Sequence, residues 1–193
     1  MQKTNKQISG LILAGGRGRR VNQEDKGLLL YEGISMVERQ LNWFLAQGIS
    51  PLISANRNLR RYREFGLAVI SDKEAGFSGP LTGVLRGLEF CNTPWLYVQP
   101  VDMPFMPADT LNRLIQKITF DKPVYYLRSN EREHYLSMLI SRQMIPALKN
   151  FLLEGNRRVR DFLAIANAES IAVGIEEASF ANFNHLSDYS VRQ

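Results

Sequence analysis

The sequence predicts an α/β fold, a mostly parallel twisted sheet with helices on both faces. Three observations predict it: strand-length apolar runs alternate with helical patterns, glycine or polar turns follow the strands, and the 193 residues suit one domain. With 45% hydrophobic and 22% charged side chains, the chain has the composition of a globular domain, not of a disordered tail. One domain covering 1–193 is expected, without repeats, linkers or low-complexity segments.

The first strand is expected at Ile8–Leu13 and ends at Ala14-Gly15-Gly16, because adjacent glycines stop a strand and free the backbone. Ser35-Met36-Val37-Glu38 has the form of a capping box, and Val37, Leu41, Phe44 and Leu45 then recur at helical spacing until Gly48. Pro51–Ser54 reads as the second strand, 67–71 as the third and 95–101 as the fourth. Pro80–Phe90 and 107–118 suit helices, since a proline near a helix start forfeits only an N–H that would be unpaired anyway. Residues 124–129 and 135–141 are expected strands around the charged turn 130–134, which breaks the parallel rhythm and predicts an antiparallel edge. Helices at 144–153 and 158–165, a strand at 171–175 and a short helix from Leu186 complete the chain.

Lys and Arg number 24 against 19 Asp and Glu, a net charge of +5, so an anionic partner is expected and phosphate leads the candidates. Cys91 is the only cysteine, which excludes an intrachain disulfide and a Cys-rich metal site and fits a reducing cytoplasm; beside Leu88 it reads as a core residue. The apolar run 11–14 is too short for a signal peptide, and no run nears the roughly 18 apolar residues of a membrane helix, so a soluble cytoplasmic protein is expected. His134 and His185, the only histidines, lack partners at zinc-ligand spacing. Arg57, Arg60, Arg61 and Arg63 cluster around the single aromatic Tyr62, too few rings for a base-stacking platform. A solvated or acceptor-facing helix is expected there, and no nucleic acid. Trp43, Phe44, Phe151 and Leu152 read as core or subunit-contact residues, compatible with a monomer or weak homo-oligomer.

In open parallel sheets, ligands bind beyond the carboxyl ends of the strands. Beyond the first strand lies Leu13-Ala14-Gly15-Gly16-Arg17-Gly18-Arg19-Arg20, and then Asp25-Lys26-Gly27. Glycine backbone N–H groups with added positive charge suit an oligophosphate, although spacing alone would equally describe a flexible basic turn. Neither common phosphate loop is present: a dinucleotide fingerprint needs glycine where Val21 stands, and no Gly-Lys-Ser/Thr occurs. Asp72 ends the third strand and Asp102 the fourth, and two carboxylates at an anion-binding edge require an intervening cation. Mg²⁺ takes oxygen ligands, commonly one or two carboxylates with substrate phosphates, so Asp102 is the expected Mg²⁺ ligand. Either aspartate could instead cap a helix or pair with an arginine.

In order and spacing, Leu13-Ala14-Gly15-Gly16, Arg20, Asp25-Lys26, Gly79-Pro80-Leu81-x-Gly83 and Pro100-x-Asp102-x-Pro104 resemble the nucleotidyltransferase family that contains molybdenum cofactor guanylyltransferase. The resemblance covers essentially the whole chain. Gly155-Asn156-Arg157-Arg158-Val159 resembles that family's Gly-x-Arg-Arg-Val stretch, and Asn182-Phe183-Asn184 its Asn-x-Asn. Sugar-nucleotide pyrophosphorylases share the first loop but are usually longer. The resemblance implies a Rossmann-like, nucleotide-diphospho-sugar transferase-like fold. It implies transfer of GMP from GTP to the terminal phosphate of molybdenum-molybdopterin, with release of pyrophosphate. The alternatives are a related cytidylyl- or sugar-phosphate nucleotidyltransferase and a non-catalytic nucleotide-binding homologue.

Carried over by residue, the resemblance implies a nucleotide pocket of Leu13, Ala14, Gly15, Gly16, Ser54, Asn56, Asp72 and Gly79. It implies Lys26 and Arg20 on the phosphates with Arg157 and Arg158 as further contacts, Asp102 on Mg²⁺, and Asn182 and Asn184 lining the catalytic floor. GTP, molybdenum-molybdopterin and the proteins that deliver or receive it are the implied partners. Three places depart from the family. Val21-Asn22-Gln23-Glu24 replaces Met-Gly before the Asp-Lys pair, which bears on loop closure. Ser54-Ala55-Asn56 replaces Asn-Ala-Asn, and Glu133-His134-Tyr135 replaces Asp-His-Pro, which bear on base preference and acceptor recognition.

Overall fold

The computed structural model describes residues 7–15, 24–72, 79–130, 132–183 and 186–189. Along the chain run β1 (Ile8–Leu13), a hairpin of β2 (Leu30–Tyr31) and β3 (Ile34–Ser35), α1 (Met36–Ala46), β4 (Pro51–Ser54), α2 (Leu59–Arg63) and β5 (Val69–Ile70). There follow α3 (Pro80–Phe90), β6 (Trp95–Pro100), α4 (Thr110–Lys117), β7 (Val124–Arg128), β8 (Glu133–Ser141), α5 (Ile145–Leu153), α6 (Val159–Ile165) and β9 (Glu169–Ala172). Single tight turns of helix stand at Lys26–Leu28, Arg142–Met144, Glu177–Phe180 and Leu186–Tyr189.

Among the described residues, seven strands form the main sheet in the order β5-β4-β1-β6-β8-β7-β9. β1 pairs in parallel with both β4 and β6, and Leu13 stands opposite Ser54 on one side and Pro100 on the other. β8 runs antiparallel to β6 and to β7, while β9 runs parallel to β7. The antiparallel element expected at an edge therefore lies inside the sheet, with β7 and β9 beyond it. The reason is in its sequence: Met138, Leu139 and Ile140 are all fully buried, a continuous apolar run that only an internal strand covers on both faces.

The two faces of the sheet carry separate cores. Ile12, Tyr97 and Leu139 point to one face, where Met36, Val37 and Phe44 of α1 and Leu111 and Leu114 of α4 cover them. Leu11, Leu96, Met138 and Ile140 point to the other, under Leu81, Val84 and Leu88 of α3, Leu148 of α5 and Phe162 of α6. Adjacent residues of one strand thus feed opposite layers, the period of two that a pleated strand imposes. α1 starts at its expected cap, the Ser35 hydroxyl accepting from the N–H of Glu38 at 3.4 Å. α4 starts later than expected, because the carbonyl of Pro107 accepts from Thr110 N–H, the Thr110 hydroxyl and the Trp43 indole, which closes a turn ahead of the helix. β5 is shorter than expected, since Gly66 at φ 72 turns the chain into the sheet only at Ala68, whose carbonyl accepts from Ile53.

Helix α3 lies close to the ends of β1 and β4 because Gly83 lacks a side chain. A Cβ there would stand 2.5 Å from Ser54 Oγ and 3.0 Å from a Leu13 methyl. Overpacking of this kind costs about 1–3 kcal/mol, against up to about 1 kcal/mol that alanine gains over glycine in a helix. Gly83→Ala is expected to lower stability by about 1 kcal/mol net, read from urea unfolding, with partial recovery in Gly83→Ala/Ser54→Ala. A single variant as stable as the parent would refute this packing constraint.

Candidate functional site

β1, β4, β5, β6, β7 and β9 all run the same way, so their carboxyl ends meet at one edge of the sheet and β8 begins there. Ala14 N–H donates to Ser54 O at 2.8 Å and Val101 N–H to Leu13 O at 3.1 Å, which carries the ladder one step past the strands and releases three loops side by side. Gly15 emerges exposed, and a Cβ on it would lie 3.5 Å from the Asn56 amide nitrogen. Ser54 is buried beneath, between the β1 loop and α3.

Asn56 and Asp72 exchange two hydrogen bonds. The Asn56 amide donates to Asp72 Oδ2 at 2.7 Å, and Asp72 N–H donates to Asn56 Oδ1 at 2.9 Å, tying the loops after β4 and β5 together. Among the described residues, the second oxygen of Asp72 is buried without a hydrogen-bond partner. Burial pushes the carboxyl above its ordinary value, opposed by the Asn56 bond and by Arg86. Leu13, Ala14, Gly15, Ser54, Asn56 and Asp72 are thus gathered in one neighbourhood. Gly79 joins the same edge as the start of α3, at φ 127, a backbone that favours glycine; Pro80 follows, and no side chain caps the helix. A helix start with uncapped N–H groups attracts anions.

Lys26 and Asp102 come together from distant parts of the chain, with Nζ and Oδ2 3.1 Å apart and both side chains mostly buried. Lys26 opens the turn Lys26–Leu28, which Asp25 caps. The loop that bears Asp102 is held against α1 by Gln40, which donates to Met103 O at 2.6 Å, and by Trp43, which donates to Pro107 O at 2.8 Å. From the far side, Phe183 N–H donates to the Asp102 carbonyl at 2.9 Å, so Asn182 is delivered beside Asp102. The Phe183 ring is wedged edge-on among Tyr31, Phe105 and Tyr189, at centroid distances of 5.0, 5.5 and 5.2 Å. Burial, and next the negative charge of Asp102, raise the Tyr189 phenol above its ordinary range.

Gly16, Arg20, Asn184 and His185, and most of the departing turn at 21–24, lie outside the described residues. Arg157 donates to Leu152 O at 2.7 Å and to Asn156 O, closing the end of α5, and Arg158 stands exposed at the start of α6. β8 ends and β9 begins at the opposite edge of the sheet, with α5 and α6 between them. Arg60, Arg61 and Arg63 are exposed on α2 as expected, whereas Tyr62 between them is fully buried. Sequence reasoning missed that contrast; the helical spacing of Leu59, Tyr62 and Phe65 was the available signal.

A second opening lies between the ends of β7 and β9, a cleft of about 250 Å³ lined by Arg128, Ser129, Asn130, Gly174 and Glu176 among others. His134 stands near it. Its Nε2 lies 3.1 Å from Ser129 Oγ and its ring stacks on Phe180 at 4.0 Å. Among the described residues, no three His, Cys, Asp or Glu side chains form a group able to hold a metal ion.

An open sheet whose carboxyl edge combines a glycine loop, an uncapped helix start and a lysine–aspartate pair defines a nucleotide-handling α/β domain. Residues 10–171 match the model of the MobA-like NTP transferase domain, and the chain belongs to that family. It is 39% identical to the molybdenum cofactor guanylyltransferase of Serratia proteamaculans over 95% of this chain and 93% of that protein. It is 37% identical to the molybdenum cofactor guanylyltransferase of Haemophilus influenzae, over 94% and 95% of the two chains. Among solved structures, it shares its fold with molybdopterin-guanine dinucleotide biosynthesis protein A from Archaeoglobus fulgidus, at TM-score 0.77 and 20% identity over 94% of each chain. The protein is thus a nucleotidyltransferase of MobA type.

Burial lowers the His134 value below the ordinary 6.5, the Glu177 carboxylate raises it and Arg132 lowers it again. The unfolded chain therefore takes up this proton first as pH falls. The stability linked to neutral His134 is fully present above about pH 6.5 and is lost as pH drops through the lower folded value. Urea unfolding between pH 8 and 5 is expected to show a shallower acid loss in His134→Gln than in the parent. Identical pH slopes would contradict the neutral, stacked imidazole.

Proposed function

We propose that the protein transfers GMP from GTP to the terminal phosphate of molybdenum-molybdopterin and releases pyrophosphate. The observation that carries this reading is the Lys26–Asp102 pair, 3.1 Å apart at the carboxyl edge of the sheet, in a chain 39% and 37% identical to two proteins named molybdenum cofactor guanylyltransferase. A terminal phosphate oxygen attacks the α-phosphorus of GTP, a P–O bond forms, and the bond between the α- and β-phosphates breaks. The attacking oxygen is already ionised, so no strong protein base is required. What the reaction requires is alignment of two polyanions and relief of their repulsion.

The chain's own groups meet that requirement. Lys26 binds the phosphates, joined by Arg20, Arg157 and Arg158, and the Gly15-Gly16 backbone and the start of α3 offer N–H groups to them. Ser54, Asn56 and Asp72 form the wall of the base and sugar pocket and Asn182 the floor beside Asp102, a role the family resemblance extends to Asn184. Asp102 would hold Mg²⁺. The donor set fits: a hard cation bound largely by substrate oxygens needs one or two protein carboxylates and no three-residue cluster. The chemistry such an ion supplies is charge neutralisation on the phosphates. The cleft between β7 and β9, with Arg128 on its rim, suits the anionic acceptor. No helix among the described residues is long and apolar enough to cross a membrane, and this reading puts the enzyme in the cytoplasm with the proteins that deliver or receive the pterin.

Calorimetric titration with GTP, CTP, ATP and UTP, each with and without Mg²⁺, is expected to give clear binding for GTP with Mg²⁺ alone. Pyrophosphate release with molybdenum-molybdopterin is expected to fall by roughly 10²-fold or more in Asp102→Ala and in Lys26→Ala. Preference for CTP would replace the guanylyl assignment by a cytidylyl one. Binding without turnover on any acceptor would leave a non-catalytic nucleotide-binding protein, and full turnover in Asp102→Ala would remove that residue from the site.

A further inference from the structure

The chemistry above uses Lys26 and leaves its neighbour Asp25 without a task, although Asp25 is only 7% exposed. Four groups converge on this carboxylate. The Tyr62 hydroxyl donates to Oδ1 at 2.6 Å, and the Gly27 N–H to the same oxygen at 3.3 Å. The Asn58 amide donates to Oδ2 at 3.0 Å, and Arg57 Nε stands 3.7 Å from that oxygen. Arg57 further donates to Glu24 O at 2.6 Å. Three of the four come from α2 and the two residues that lead into it, so Asp25 rivets the Lys26–Leu28 turn to a helix from a different part of the chain.

Tyr62 is built into this rivet. It is fully buried, and a Cβ on Gly27 would stand 2.3 Å from its hydroxyl oxygen, so glycine is what lets the phenol reach Asp25 across the turn. Burial, followed by the Asp25 bond and charge, holds the phenol above its ordinary range, which keeps it a proton donor. A buried carboxylate is a poor way to add stability, because desolvation takes back much of what its partners return, and an apolar pair of similar shape fills the space as well. A fully bonded carboxylate does fix geometry, since each partner allows it one direction. The residue whose geometry is fixed is Lys26, next in sequence and 3.1 Å from Asp102.

We propose that Asp25 and Tyr62 are positioning residues that hold the Lys26–Leu28 turn against α2, so that the Lys26 ammonium is kept on Asp102 and on the phosphates that bind there. The proposal deepens the nucleotidyltransferase reading and rests on it for what Lys26 binds. Misplacement of a charge-neutralising group by about an ångström costs up to 10²-fold in rate. Tyr62→Phe, which keeps the ring and removes the donor, is expected to lower kcat for pyrophosphate release roughly tenfold with the KM for the acceptor unchanged. In a Lys26→Ala background the same change is expected to have no further effect, because its route of action is gone. Equal fold-losses in both backgrounds would mean that Tyr62 serves the fold in general and would overturn the proposal.

A second readout needs no turnover. The ¹³Cε resonance of Lys26, assigned by its loss in Lys26→Ala, is expected to move on Asp102→Asn in the parent protein and to move much less when Tyr62 is already Phe. The same Asp102→Asn shift in both would sink the proposal. Where the parent shows no transfer with any nucleotide, the functional reading fails and this resonance alone decides the positioning role. Should Tyr62→Phe not fold, Asn58→Gly serves instead: it accepts the left-handed backbone at φ 50 and deletes one donor, and a loss of roughly threefold confined to proteins that retain Lys26 is expected.

Discussion

The register of β1 between β4 and β6 is the constraint on which the rest depends. Because Leu13 is level with both Ser54 and Pro100, three chains leave the sheet at one height. Their polypeptide ends cannot diverge until the last ladder bonds, Ala14 to Ser54 and Leu13 to Val101, have been made. A slip of one residue in either pairing would turn Ile12 and Leu11 to the wrong layers, since each belongs to a different core. The hydrophobic division of β1 thereby fixes where Gly15, Asn56 and Asp102 emerge. Packing energy deep in the sheet is converted into the placement of polar groups at its rim.

Those polar groups are secured by different means on the two sides of Asp102. Toward the β5 edge of the sheet and against α1, side-chain amides make the ties: Asn56 clasps Asp72, and Gln40 holds Met103. Toward the C-terminal segment the tie is one main-chain bond backed by the rings of Tyr31, Phe105, Phe183 and Tyr189. Arg39 completes that side by donating to Tyr31 O and lying 4.9 Å over the Tyr31 ring. Directional bonds hold the polar groups at this rim, and aromatic bulk holds the C-terminal segment beside them.

How much of this could be read from the chain varies with the range of the interaction. Ile8–Leu13, Pro51–Ser54 and Pro80–Phe90 carry their own punctuation, a double glycine, a proline start or a glycine–proline entry, and the structure has them at those bounds. The β2–β3 hairpin went unseen because two-residue strands around Glu32 and Gly33, both at positive φ, leave too short a pattern. The internal position of β8 required knowing which strands compete for its two edges. In the site, Lys26 and Asp102 were legible as a basic loop and a strand-end carboxylate, although their contact was not. The pairing of Asp25 with Tyr62 was hidden altogether, since the arginines around Tyr62 give that segment the look of a solvated face while its one ring turns inward.

The bond from Phe183 to the Asp102 carbonyl also sets an order of events. During synthesis, a chain that has emerged as far as Met103 already contains Lys26, Asp102 and strands β1, β4 and β6, yet the segment that bonds to the Asp102 carbonyl is still to be made. Closing so long a loop costs entropy that only the arriving aromatic cluster offsets. The surroundings of Asp102 are therefore completed only when the segment around Phe183 arrives, instead of growing in step with the sheet. A ligand that bridged the early and late parts of the chain would favour the closed arrangement by mass action.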